Sequence, residues 1–294
     1  MNEIITIDKR SFRPRLPSFF KQEIPSGKDF RAVQESIGEF QLNTVCEEAK
    51  CPNRTHCYAR GTLTFQILGK ICTRSCGFCA ETFGRPSLPA DNTEPQRVVD
   101  AAQKLNLKHV VITSPARDDL QDDGAGQFVK VIELFRKECP TVTVEILTPD
   151  FRGRTECLDA VFAARPDIFN HNIETVRRLT PKVRSKATYE RTLSVLLRSH
   201  HSDLRTKSGL MVGHGETKDE LLETFRDLRT SGVSMLTLGQ YLPPSQHHLP
   251  LVKIYTPAEF DSLKEDALQC GFLDVASGPL VRSSYHADVM AQKI

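Results

Sequence analysis

Six cysteines of this 294-residue chain fall into two groups of three. Cys46, Cys51 and Cys57 are spaced C-x4-C-x5-C, and Cys72, Cys76 and Cys79 are spaced C-x3-C-x2-C. Thiolates are soft donors that select zinc or iron–sulfur clusters. A structural zinc ion closes its tetrahedron with four protein ligands, so each triplet is one short. A cubane iron–sulfur cluster held by three cysteines keeps one iron open for a substrate or cofactor. Two incomplete zinc knuckles, or half-sites sharing one ion, are the competing reading. Nine cysteines is an odd number, and these short spacings suit metal binding in a reducing compartment better than a disulfide framework. The expected location is cytoplasmic.

The elements that must position these thiols follow from periodicity. Strands are expected at 63–68, 109–114, 141–147, 167–174, 208–213 and 235–242, each a run of apolar or β-branched residues. Helical spacing fills the intervals: Val98, Ala101, Ala102 and Leu105; then Phe128, Val129, Ile132, Leu134 and Phe135; then 158–164, 189–199 and 217–230. The last of these opens on a Thr217–Glu220 capping box. Strands alternating with helices mean βα units and a parallel sheet. Six units are two short of an eightfold barrel. The expected class is therefore α/β, a partial (β/α)6 TIM-type barrel with N- and C-terminal extensions; a doubly wound open sheet is the alternative. The extensions are placed at 1–60 and at 251–294, where a last helix near 257–270 precedes a tail, with the barrel over 61–250.

The second triplet follows the first expected strand directly, in ICTRSCGFCAE (71–81), which puts it on the face where barrel enzymes react. Gly77 lets the backbone turn tightly and Phe78 offers an apolar cover. This motif in this position resembles the radical S-adenosylmethionine superfamily. The resemblance implies that the cofactor's amino and carboxylate groups chelate the open iron. An electron from the cluster then cleaves the sulfonium, giving a 5′-deoxyadenosyl radical that abstracts hydrogen from an unactivated carbon.

A C-x4-C-x5-C triplet ahead of that motif is similar to one family within the superfamily, the lipoyl synthases. Further matches are CEEAKCPNR (46–54), GTLTFQILG (61–69), ITSPARDDLQDDGA (112–125), FNHNIETV (169–176), KSGLMVGHGET (207–217), QYLPPS (240–245) and GPLVRSSYHA (278–287). The resemblance implies that Cys46, Cys51 and Cys57 bind an auxiliary 4Fe–4S cluster whose fourth ligand is a serine of the R-S-S-Y motif, Ser284, with Ser283 as the fallback. It also implies sulfur insertion at C6 and C8 of an octanoyl chain on a lysine of a lipoyl carrier domain, of the 2-oxoacid dehydrogenase E2 or glycine-cleavage H protein type. Two S-adenosylmethionine molecules are consumed, and the auxiliary cluster is the sulfur source. Implied partners are an electron donor such as flavodoxin or ferredoxin and a cluster-rebuilding carrier. A hard serine oxygen holds iron less firmly than a thiolate, which suits a cluster corner meant to come apart.

The cofactor-binding residues expected at strand ends are Phe78 (through its backbone), Ser114, Asn172, Glu174, Met211 and Gly213. The G-G-E usual in the superfamily after strand two is absent, and TSPARDD (113–119) stands there. Arg184 and Lys186 are read as a solvated helix start, with binding of carboxylates as the alternative, and His200–His201 and His247–His248 as surface, since adjacent residues on a helix or strand point apart. Cys139, Cys157 and Cys270 are read as small core hydrophobes. A net charge of +2 argues neither for nor against nucleic acid, and no nucleic-acid partner is expected. Lys9 to Arg31 holds seven basic residues against Glu23 and Asp29, a solvated surface or a dock for an acidic carrier. No window reaches about eighteen apolar residues, so no membrane span is expected, and the N-terminus carries no secretory pattern. Two other readings compete. A two-cluster radical methylthiotransferase would lack the R-S-S-Y tail and append a nucleic-acid module, and a zinc-binding interaction module is opposed by the long βα series.

Overall fold

Runs of apolar and β-branched residues become strands in the computed structural model of the protein, which describes residues 16–21, 28–60 and 62–291. In chain order these are β1 (Asn43–Thr44), β2 (Thr64–Gln66), β3 (Ile71–Cys72), β4 (Thr82–Phe83), β5 (His109–Thr113), β6 (Thr143–Leu147), β7 (Ile168–Asn170), β8 (Arg205–Val212), β9 (Met235–Gln240) and β10 (Asp274–Gly278). Eight of them form one sheet in the order β1-β2-β5-β6-β7-β8-β9-β10, and β3 pairs with β4 separately. The antiparallel edge strand β1 apart, every neighbour in the large sheet is parallel. Among the described residues nothing pairs β10 back onto β1, so the sheet stays open.

Helices occupy the crossovers, as βα units require. The N-terminal α1 (Lys28–Glu39), α2 (Val45–Glu48) and α3 (Arg54–Ala59) come first. They are followed by α4 (Glu94–Lys104), α5 (Ala125–Glu138), α6 (Thr155–Ala163), α7 (Thr180–Val183), α8 (Tyr189–His201), α9 (Lys218–Thr230), α10 (Pro257–Gln269) and α11 (Ala287–Ala291). Thr217 and Glu220 cap α9 reciprocally, and Thr256 and Glu259 do the same for α10. Val98, Ala101 and Ala102 face inward from α4, joining a core with α5, α6 and the strands beneath; a second core lies under α8 to α10.

Four strands lie outside the expected six: β1, the short pair β3 and β4 at either end of the second triplet's loop, and β10. β10 lies in the stretch read as a tail, and it pairs with β9 over Asp274–Gly278. Its residues, DVASG, carry too little apolar alternation to announce a strand. β1 is only two residues long and gives no periodic signal at all. The parallel part of the sheet therefore has seven strands where six were expected.

Beyond β10 the chain returns to the sheet it has just left. Val281 lies so close to Gly239 of β9 that a Cβ there would sit 2.1 Å from the Val281 carbonyl oxygen. Ser283 meets Asn172 and Gly209. Met290, in α11, packs with Ile168 and Met235, the first residues of β7 and β9. The segment thus runs from the carboxyl ends of the strands toward their amino ends.

Candidate functional site

The second cysteine triplet sits in the loop after β2, and neighbouring βα loops fix that loop along its length. Thr73 binds the Ala116 carbonyl through both its N–H and its hydroxyl, and its Oγ1 accepts from Asp118 N. Arg74 is buried and pairs with Asp118 and Asp150, each at 2.7 Å. Burial works against the Asp150 charge, yet the Arg74 cation holds that carboxyl down at about 2. Gly77 N donates to the Val183 carbonyl at 3.0 Å, and the Gly77 carbonyl accepts from Leu249 N at 2.9 Å. A Cβ on Gly77 would meet Leu249 at 2.8 Å, so this turn takes no side chain. His248 Nε2 lies 2.9 Å from the Cys79 carbonyl. A carbonyl only accepts, so Nε2 carries the proton, and Nδ1 at 2.8 Å accepts from the Ser245 hydroxyl.

The first triplet is positioned by α2, α3 and the C-terminal segment. Thr44 caps α2 by accepting from Glu47 N, which sets Cys46 in the first turn. Cys51 N donates to the Cys46 carbonyl, and Cys57 follows on α3. Asn53 Nδ2 donates to the Leu280 carbonyl at 2.5 Å, tying this turn to a residue 227 positions away. Thr64 Oγ1, on β2, donates to Ser284 Oγ at 2.8 Å. Ser283 Oγ instead accepts from Asn172 Nδ2 at 2.7 Å. The two adjacent serines therefore face different walls of the site.

All six cysteines and Ser284 line one cavity of about 610 Å³ at the carboxyl ends of the parallel strands. All nine cysteines are free. Burial pushes Cys46 and Cys79 up to about 12 and Cys57 up to about 11, and it raises Cys72 and Cys76 as well. Thiols so desolvated stay neutral near pH 7 until a metal ion supplies the compensating charge. Among the described residues no three ligand-type side chains converge closely enough to share a single ion. A cubane puts its cysteine-bound irons at separate corners, so it calls for thiols ringing a space and not meeting at a point. The wall also carries buried acceptors without a protein partner among the described residues, Ser114 Oγ and Asn172 Oδ1. Buried polar atoms are normally paired, so these two fit a polar cofactor. Glu174 holds a positive φ of 68°, uncommon for a non-glycine residue and a mark of strain stored at a site.

Of the six residues expected to bind the cofactor, Phe78, Ser114, Asn172, Glu174 and Met211 line the cavity and Gly213 does not. Its φ of 113° and its closeness to Gln240 and the Lys253 carbonyl make it the point against which the loop after β9 packs. Arg184, read as solvated, instead lines the cavity and donates to the Asn172 carbonyl and Thr192 Oγ1. His248, read as surface, is half-buried against the cysteine loop, while His247, His200 and His201 are exposed. The rule that adjacent residues point apart holds on helices and strands, and 245–249 is neither. Cys157 is buried as expected, while Cys139 and Cys270 are half-buried against the cores. Of the basic stretch from Lys9 to Arg31, most lies outside the described residues.

Comparison with known proteins adds an independent line. Residues 67–228 match the Radical SAM superfamily, and residues 1–51 match the N-terminal domain of lipoyl synthase of that family. Lipoyl synthase 2 of Gloeobacter violaceus is 50% identical over 97% of this chain and 99% of its own length. Lipoyl synthase of Rubrobacter xylanophilus is 52% identical over 92% of this chain and 85% of its own. Among solved structures, the maturase HydG superposes with a TM-score of 0.55 at 13% identity, covering 76% of this chain and 57% of that one. SuiB of Streptococcus suis bound to S-adenosylmethionine also gives 0.55 at 13%, over 74% of this chain and 51% of its own. The chain thus spans about half of SuiB, and these two likenesses speak to the fold alone.

Proposed function

The chain belongs to the lipoyl synthase family of the radical S-adenosylmethionine superfamily, and from that premise we propose which of its residues carry the reaction. It is a sulfurtransferase enzyme that uses S-adenosylmethionine and 4Fe–4S clusters to convert the octanoyl group of lipoyl carrier proteins. In our reading Cys72, Cys76 and Cys79 hold the cluster with one iron left for the cofactor. Cys46, Cys51, Cys57 and Ser284 hold the auxiliary one. When bound, the clusters supply an electron to the cofactor and sulfur to C6 and C8 of the acyl chain.

The observation that carries this assignment is that both triplets and Ser284 open onto one cavity, with Ser284 turned to β2 by Thr64. Phe78, Ser114, Asn172, Glu174 and Met211 form the cofactor wall, and Gly213 supports that wall from behind. Arg184 joins them by fixing the Asn172 backbone. The division into an N-terminal extension (1–60), a barrel (61–250) and a C-terminal segment (251–294) belongs to the same proposal. So do a reducing cytoplasmic setting, a flavodoxin- or ferredoxin-type electron donor and a carrier that rebuilds the auxiliary cluster.

Anaerobic reconstitution followed by iron analysis tests the ligand sets. About eight irons per chain are expected, two cubanes' worth, and about four after Cys46→Ala with lipoyl product abolished. Ser284→Ala leaves three thiolates and keeps its cubane, but a chelator should strip that cluster faster and lipoyl product should be lost, while Ser283→Ala should behave as the parent. Faster stripping in Ser283→Ala with parental behaviour in Ser284→Ala would exchange the two serines. Product formation undiminished in Cys46→Ala would end the auxiliary role of the first triplet.

A further inference from the structure

The loops around the cavity mouth carry an unbalanced charge. Lys50 and Arg60 line the cavity and are exposed at its edge. Arg85 is exposed one residue beyond Gly84, whose N–H binds the Cys72 carbonyl. Lys182 is exposed next to Val183, whose carbonyl accepts from Gly77. None of these four has a carboxylate within 4 Å among the described residues. Of the carboxylates on the same rim, Asp91 pairs with Arg97 and Asp119 with Arg117, while exposed Asp122 accepts only the backbone N–H groups of Gly124 and Gly126 and half-buried Asp288 lines the cavity with no cation within 4 Å among the described residues. Four free cations against these two carboxylates leave the rim positive. Two large apolar side chains flank Arg85: Phe83, 61% exposed and in register with Cys72, and Leu88, 75% exposed.

An acyl chain attached to a lysine of a folded carrier reaches the cavity only if the carrier body rests on this rim. Unpaired surface cations around a reaction mouth steer and orient a partner of opposite charge. We infer that the rim formed by Lys50, Arg60, Arg85 and Lys182, with Phe83 and Leu88 as apolar contacts, is the docking surface for the acyl-bearing carrier. The carrier meets it with an acidic face around the modified lysine. The inference rests on the lipoyl synthase reading and adds to it the recognition of the carrier's body as distinct from its acyl arm.

The test compares an octanoylated carrier domain with a short octanoyl-lysyl peptide too small to touch the rim. The enzyme is the cluster-loaded full chain and its Arg85→Glu/Lys182→Glu variant, neither residue lining the cavity. The ratio of carrier KM to peptide KM should rise by about tenfold in the variant, and the carrier KM of the parent should climb with added salt while the peptide KM stays flat. Carrier binding to the loaded chain, followed by fluorescence anisotropy without reductant, should weaken by the same factor. An unchanged KM ratio, or equal loss for carrier and peptide, overturns the inference. If the parent binds the carrier in this salt-dependent way yet makes no lipoyl product from either substrate, the dock stands and the functional reading falls.

Discussion

At the scale of single residues, neighbours divide the work between the two serines. Thr64 fixes Ser284 and Asn172 fixes Ser283, so Thr64 is the outer support of the proposed fourth ligand. Thr64→Val keeps the shape of the β2 side chain and removes the hydroxyl. Outer hydrogen-bond partners of metal ligands are worth about 10–100-fold in affinity. Iron at the first triplet should therefore be stripped by a chelator at least about tenfold faster in this variant, with the second triplet's iron unaffected. His171, also on the cavity wall, gives a pH signature. Burial holds its imidazole at about 4, with Nδ1 against the Thr148 carbonyl and Nε2 near Thr192 Oγ1. Its unfolded value is about 6.5, so between these pH values the unfolded chain takes up the proton and the folded one does not. Stability is thus complete above about 6.5 and falls as the pH drops toward 4, by up to about 3 kcal/mol. Urea midpoints measured from pH 7 to pH 5 should fall, and His171→Gln should flatten the trend by about one proton.

At the scale of elements, the site depends on loops whose partners are far away in sequence, and this separates what was legible from what was not. The cysteine spacings, the strands that follow or precede them and the Thr217 cap are local patterns, so they can be read from the chain directly. Arg184, His248 and β10 were not legible in this way. The place of Arg184 depends on the turn after β7, that of His248 on a loop folding back over Cys79, and β10 exists because β9 offers it an edge. Lys207 shows the same limit from within a strand: it is fully buried only because Glu145, two strands away, pairs with it at 2.8 Å. Gly239 is the clearest element-scale dependency, since β9 there must admit the Val281 carbonyl. Gly239→Ala forces the C-terminal segment outward, and overpacking of this kind costs about 1–3 kcal/mol. The thermal midpoint should fall. The first triplet should give up iron to a chelator faster, because Ser284 moves with that segment, while the second triplet's iron is unaffected. Equal loss from both triplets would mean that the segment supports the whole face and not one site.

At the scale of the whole molecule, one open sheet serves two sites because the segments before β2 and after β10 both pack against it. The N-terminal helices bring Cys46, Cys51 and Cys57 to the β2 side, and the segment after β10 brings Ser284 to the same place, joined by the Asn53–Leu280 hydrogen bond. The sheet supplies the second triplet from within, on a loop held by its own βα neighbours. This arrangement bears on how the protein is made. The second triplet's loop has its clamps once residues up to Leu249 have emerged from the ribosome, but Leu280 and Ser284 follow only later. A nascent chain can thus assemble one site while the other still lacks a wall. The first triplet's site is walled only after Ser284 has emerged, so chains cut short before that residue cannot carry both.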